Sequence, residues 1–314
     1  MFKKGGVNMK NIIKHIKNRT IFNIIIEKVF FKFINFFTKN ENTTTLYIQN
    51  HNFIKLKNKY KKYIQNYNVN LKKEKSNKIW FCWLQGFDKA PDLVKACYNS
   101  LVENMPDNEI IFLSEGNISQ YIKFPDFINK KYLEGKIGRA HYSDLLRISL
   151  LCEYGGTWID STVLCTSKDF SKFIINQPFF VFKQVDLNRK GIQPIVASNW
   201  LISSEKNNEI CLLTRDLLFN YWKKNNYAKD YFIFHFFFTM ATEKYSNIWN
   251  SLPTFNNINP HILQFELNNK YTVERWNQIT NYSGFHKLNH HLNYNCEDTN
   301  YSMILKKYIN NKGK

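Results

Sequence analysis

The sequence predicts an α/β fold preceded by a basic helical arm, and three observations carry that prediction. From Lys78 onward, short runs rich in β-branched and aromatic residues alternate with segments of helical periodicity. That order builds a sheet with helices packed on it. The segment Arg139 to Tyr154 has apolar residues Leu145, Ile148, Leu151 and Cys152 at i, i+3, i+6 and i+7. It is stopped by Gly155-Gly156 and followed by Thr157-Trp158-Ile159 and then Asp160, which reads as helix, break, strand and carboxylate. Charge is unevenly spread: residues 1–78 hold 18 Lys plus Arg against 3 Asp plus Glu, so they carry +15 of the net +19 and the remainder carries +4.

The arm, residues 1–77, comes first. Ile21 to Phe37 is apolar but interrupted by Asn23, Glu27, Lys28, Lys32 and Asn35, so it is not a clean membrane span. Lys28, Lys32, Asn35 and Lys39 recur at helical spacing, while Ile24, Ile25, Val29, Phe30, Phe33, Ile34, Phe36 and Phe37 fill the other faces. No small-residue cleavage site follows, which argues against a signal peptide. Thr43-Thr44-Thr45 reads as a polar break before a second Lys- and Tyr-rich segment. A basic amphipathic arm predicts attachment to an anionic membrane surface; a helix pair packed on the next domain is the alternative. The near-balanced remainder argues against a nucleic-acid binder.

The second domain, residues 78–314, opens with a strand over Ile79–Leu84. A helix begins at Pro91, and Ile110–Leu113 is the next strand. Short helices are expected over 117–121 and 125–133, then the helix and strand ending at Asp160 and an extension over Val163–Cys165. Phe179–Phe182 and Ile195–Ile202 read as strands, and 208–222 and 231–242 as helices. The six cysteines form no CxxC and several lie in apolar runs, which predicts reduced thiols and a cytoplasmic setting.

The 138–162 segment concentrates the chemistry. Asp144 and Arg147 lie one helical turn apart, and Asp160 falls at a strand's C-terminal end, where open α/β sheets bind ligands. A surface ion pair with a simple capping Asp accounts for the same spacing. Asp144-Leu-Leu-Arg147 followed by Tyr154-Gly-Gly-Thr-Trp-Ile-Asp160 resembles the signature of GT-A (Rossmann-like) glycosyltransferases with a DXD sugar-binding motif. It is most similar to the capsular polysaccharide synthesis proteins related to glycosyltransferase family 32. Lys78-Ile-Trp-Phe-Cys-Trp-Leu-Gln-Gly86, the helix Pro91–Asn104 and Pro106–Leu113 resemble the family's first strand, helix and second strand. The resemblance covers about residues 78–166 well and the rest loosely.

The resemblance implies a nucleotide-diphosphate sugar as donor, a glycan or lipid-linked glycan as acceptor, retention of configuration, and Mn²⁺ or Mg²⁺ as cofactor. It implies that Asp160, Asp144 and Arg147 act in catalysis. Trp83, Asp144, Arg147, Gly155, Gly156, Asp160 and Lys287 would bind the donor, with Trp83 stacking on the base. Asp160, Thr162 and a downstream His286 would hold the metal. Asp160-Ser161-Thr162 departs from the family's pattern, because a hydroxyl is a weaker ligand than a carboxylate for a hard cation. Asn199 and the Asp230-Tyr231-Phe232 triplet are further candidates, with a buried strand end and a helix cap as their plain readings. His290 and His291 follow His286 closely, so spacing does not single out one imidazole. A host-modifying toxin-like glycosyltransferase and a non-enzymatic basic membrane-binding protein are the rival functions.

Overall fold

The computed structural model describes residues 18, 20–185, 193–295 and 297–310. Residues 1–17, the basic start of the arm, and Cys296 lie outside the described residues. The helices in chain order are α1 (Ile21–Thr38), α2 (Glu41–Asn66), α3 (Asp92–Asn104), α4 (Ile118–Tyr121), α5 (Asp126–Leu133), α6 (Arg139–Tyr154) and α7 (Lys168–Ile175). They continue with α8 (Glu209–Lys224), α9 (Ile233–Lys244), α10 (Ser246–Ser251), α11 (Ile262–Glu266), α12 (Val273–Tyr282) and α13 (Asn300–Tyr308).

The central sheet confirms the α/β class. Strands β1 (Lys78–Cys82), β2 (Glu109–Leu113) and β3 (Gly156–Asp160) run parallel, with β1 in the middle. Strand β6 (Ala197–Ser204) joins β3 antiparallel, and β5 (Phe179–Lys183) closes the edge antiparallel to β6. A separate ribbon pairs β4 (Val163–Cys165) with β7 (Phe285–Lys287). The alternation of side chains along a strand divides the core. Trp80, Trp158 and Ile202 face the layer of α6, α8 and α9, whereas Ile79, Phe81, Ile159 and Leu201 face the layer containing α3 and α13.

The register sets the site. Cys82 lies opposite Asp160 at the C-terminal ends of β1 and β3, so Asp160 emerges at the edge where the parallel strands stop. The glycine pair does a different task at the other end of β3. Gly155 has φ +67° and Gly156 φ +91°. A Cβ on Gly156 would lie 2.3 Å from the Lys78 carbonyl oxygen, and one on Gly155 2.6 Å from the Lys206 nitrogen. The carbonyl of Gly155 also accepts from the indole of buried Trp80 at 2.9 Å. Four residues of strand, about 13 Å, separate the pair from Asp160. Gly155 and Gly156 therefore let the chain turn tightly from α6 into the sheet. Their expected role in cofactor binding is corrected to this one.

The arm also departs from expectation. The break between its helices falls at Lys39-Asn40, where Lys39 adopts φ 51° and Asn40 caps α2 by accepting from the Thr43 amide at 3.0 Å. The three threonines sit in the first turns of α2, and the Thr44 hydroxyl donates to the Asn35 side chain at 3.0 Å across the hairpin. Phe53, Leu56 and Tyr60 of α2 are buried on the same core as α9. Phe53 meets Phe236 edge to face at 5.6 Å and Tyr60 meets Phe237 at 5.2 Å. Residue 77 is thus no boundary between core and appendage: α2 belongs to the globular body. By contrast α1, long as it is, has none of its residues fully buried.

Candidate functional site

A cavity of about 790 Å³ opens at the C-terminal ends of β1 and β3, within the range of small-molecule sites. Asp144, Arg147, Asp160, Thr162, Asn199, Tyr231, Phe232 and Lys287 all line it. They come from α6, β3, the turn after β3, β6, the turn before α9, and β7.

Asp144, Arg147, Asp160 and Lys287 form a chain of alternating charges. Arg147 donates through Nη1 to Asp144 and through Nη2 to Asp160 Oδ1 at 2.9 Å. Lys287 Nζ lies 3.2 Å from Asp160 Oδ2. The guanidinium carbon stands 5.0 Å from the Trp158 ring centroid, so the cation is held on an aromatic face as well as between carboxylates. Asp144 and Arg147 are nearly sealed, at 8% and 4% exposure, which excludes the surface ion pair. The indole of Trp158 donates to Asp160 Oδ1 at 2.8 Å. Burial alone would raise the Asp160 carboxyl. Lys287, Arg147 and the Trp158 donor outweigh it and hold the group below the usual carboxylate range. Asp160 is therefore an anion at neutral pH.

Asn199 donates from Nδ2 to Asp144 Oδ1 at 2.9 Å, so this strand residue orients the Asp144 carboxylate. Asp230 accepts from the Phe232 amide at 2.9 Å, while Asn52 of α2 donates to its other oxygen at 3.3 Å. Of that triplet, Tyr231 and Phe232 reach the cavity, and Asp230 closes a turn just before the helix instead of capping it.

Two expected residues sit elsewhere. His286 is fully buried, its Nε2 3.0 Å from the Thr166 hydroxyl, and burial pushes its imidazole down to about 3. It precedes Lys287 on β7, and adjacent strand residues point to opposite faces. When Lys287 faces the cavity, His286 must face the core, so its expected role as a metal ligand is corrected. Trp83 follows β1 with its indole nitrogen buried and unpartnered, and its ring packs edge-on against His290 at 5.2 Å. His290 lines the cavity; Trp83 stands behind it and is not among the lining residues. Trp83 is thus one ring back from the cavity, partly exposed behind His290.

The donor set for a divalent cation does not fit. Both oxygens of Asp160 already accept from cationic or indole donors, and Thr162 Oγ1 accepts from Lys287 Nζ at 2.6 Å. The other carboxylate of the cavity, Asp144, accepts from Arg147 and Asn199, both through Oδ1, so Oδ2 is the one oxygen it leaves. Among the described residues no group of three His, Cys, Asp or Glu side chains converges as a metal site. Hard cations require several oxygen ligands free to approach, and with a guanidinium wedged between Asp144 and Asp160 the two carboxylates offer too few.

Several lining residues had no signal in the sequence. His235 lies within the aromatic run of α9, is half-buried, and has a buried, unpartnered Nδ1; burial lowers its imidazole to about 4, so it is neutral. Leu46 and Gln49 of α2 reach the cavity from the arm. Only the packing of α2 against α9 brings them there. A pairing between helices so far apart in the chain leaves no local pattern to read.

With this geometry in place, comparison with known proteins identifies the family. Residues 32–308 match the family described as capsular polysaccharide synthesis protein. The chain belongs to that family. The match begins inside α1 and takes in all of α2, in keeping with α2 as part of the globular body. A 92-residue stretch is 32% identical to the O-glycosyltransferase braB of Annulohypoxylon truncatum, covering 26% of this chain and 22% of that relative. The chain thus spans less than a quarter of the length of that curated relative. The solved structure of the PaToxG glycosyltransferase is similar over 65% of this chain and 83% of its own, at 19% identity and a TM-score of 0.37.

Proposed function

We propose that this protein is a glycosyltransferase of the GT-A type that moves a sugar from a nucleotide-diphosphate sugar to a growing surface glycan, capsule or lipooligosaccharide. The observation that carries the reading is the partly buried Asp144–Arg147–Asp160–Lys287 chain lining one cavity at the sheet's C-terminal edge. A carboxylate accepts two hydrogen bonds in one plane and suits vicinal sugar hydroxyls. Asp144, oriented by Arg147 and Asn199 through Oδ1, meets a sugar hydroxyl through Oδ2. Lys287 meets the negative charge that grows on the leaving diphosphate. Retention of configuration follows from the family resemblance. Among the described residues the cavity's carboxylates are Asp144 and Asp160, both engaged by cations, so neither serves as a free nucleophile and the acceptor hydroxyl attacks from the leaving-group side.

The acceptor reading rests on α1. Its outward face exposes Phe22, Ile25, Ile26, Val29, Phe33, Phe36 and Phe37 beside Lys28 and Lys32. No helix among the described residues is long and apolar enough to cross a membrane. Such a face suits shallow insertion into an anionic lipid surface, with apolar burial and charge attraction adding. Leu46 is exposed near the hairpin and also lines the cavity, which supports an acceptor delivered from the bilayer. The enzyme would then work as a peripheral protein on the inner face of the cytoplasmic membrane.

The test is nucleotide release from a panel of nucleotide-diphosphate sugars, with and without vesicles carrying lipid-linked glycans. Release from at least one donor, accelerated by the acceptor vesicles, is expected. No release from any donor sinks the reading.

A further inference from the structure

We infer that the diphosphate of the donor is neutralised by the Lys287 ammonium in place of a divalent cation, so that donor binding and transfer are metal-independent. This rests on the donor reading above. The carboxylate and hydroxyl that the sequence offers to a metal both hold this ammonium: Asp160 Oδ2 at 3.2 Å and Thr162 Oγ1 at 2.6 Å from Nζ. Replacement of a second carboxylate by Thr162 removes one negative charge from the pair, which suits a singly charged partner better than a doubly charged one. The remaining oxygen of Asp160 is shared by Arg147 and Trp158, so a cation could reach that carboxylate only beside the ammonium on Oδ2.

An ammonium has three donors. Two point at Asp160 and Thr162, and the third is left for a phosphate oxygen in the cavity that Lys287 lines. The lysine is also well anchored. It sits on β7 opposite Val163, and the next amide, Leu288, donates to the Thr162 carbonyl at 2.8 Å. Asp160 is on this account a positioning residue that aims Lys287.

In the transfer step the bond between sugar C1 and the β-phosphate oxygen breaks, and its electron pair goes to the phosphate. The acceptor oxygen bonds C1, and its proton passes to the leaving phosphate oxygen. Lys287 stays protonated and stabilises charge without exchanging a proton.

Calorimetry with UDP, GDP, CDP and ADP, in EDTA and in MnCl₂, tests the inference on the full chain. At least one nucleoside diphosphate is expected to bind with the same affinity, within about twofold, in both conditions. Lys287→Ala should weaken it about tenfold or more, the loss of a charge-assisted bond, while Lys287→Arg retains most of it. Circular dichroism of both variants should show the wild-type fold. Titration of Mn²⁺ followed by electron paramagnetic resonance should show no bound ion. Binding that appears only with Mn²⁺, or a Lys287→Ala variant with wild-type affinity, would overturn the inference while leaving the donor reading intact. Absence of binding by every probe in both conditions would overturn the two together.

Discussion

Gly156 holds φ +91° with the Lys78 carbonyl oxygen where a Cβ would need to be. Gly156→Ala is expected to destabilise the fold by at least about 2 kcal/mol, because strain and a backbone clash add; urea denaturation measures it, and an unchanged midpoint contradicts the packing role. Asp144→Asn keeps the side chain's size but weakens its hold on sugar hydroxyls and on Arg147. It is expected to lower kcat/KM about 10- to 100-fold, read by steady-state kinetics. At this scale the sequence revealed Asp144, Arg147 and Asp160, since a helix stop and a short strand fix their places. It misdirected His286, because the alternation of side chains on β7 depends on which face meets the cavity, and three nearby imidazoles look alike in sequence. His235 was invisible for the related reason that one imidazole in an aromatic helix has no spacing to betray it.

The helical hairpin shows what an element's sequence can hide. The periodicity of α1 was legible and α2 showed only as a Lys- and Tyr-rich segment, but such patterns suit a membrane surface or a protein core alike, and only the partner surface decides. For α2 the partner is α9, through Phe53, Tyr60, Phe236 and Phe237. A chain beginning at Ser76 would leave those aromatics in water and is expected to be insoluble or unfolded by circular dichroism. A chain beginning at Asn40 removes α1 together with the basic residues that precede it, losing partly buried contacts such as the hydrogen bond from Tyr227 to Glu27. It is expected to fold, retain nucleotide release on a soluble acceptor, and no longer float with phosphatidylglycerol vesicles at low salt. Full vesicle binding without α1 would refute the membrane role assigned to it.

Across the whole molecule, two buried neutral histidines set the response to acid. Burial lowers His286 to about 3 and His235 to about 4 from an ordinary 6.5. In the window between those values and 6.5 the unfolded chain binds protons that the native state refuses, so stability falls as pH falls. At pH 5 the loss is about 2 kcal/mol per histidine, and it should be visible as a melting temperature that declines as the pH drops through the ordinary histidine range. A flat profile would mean that the imidazoles gain protons in the native state. The α/β class was legible because strand-and-helix alternation is local information, whereas the antiparallel placement of β5 and β6 and the β4–β7 ribbon depend on pairing between distant segments. The central claim is that the charge chain at the sheet's edge is a sugar-donor site. Its most direct test is transfer of labelled sugar by purified full-length protein, comparing wild type with Asp160→Asn. The account predicts transfer by wild type and a loss of about 10-fold or more in a variant that circular dichroism shows to be folded; equal transfer by that folded variant would contradict it.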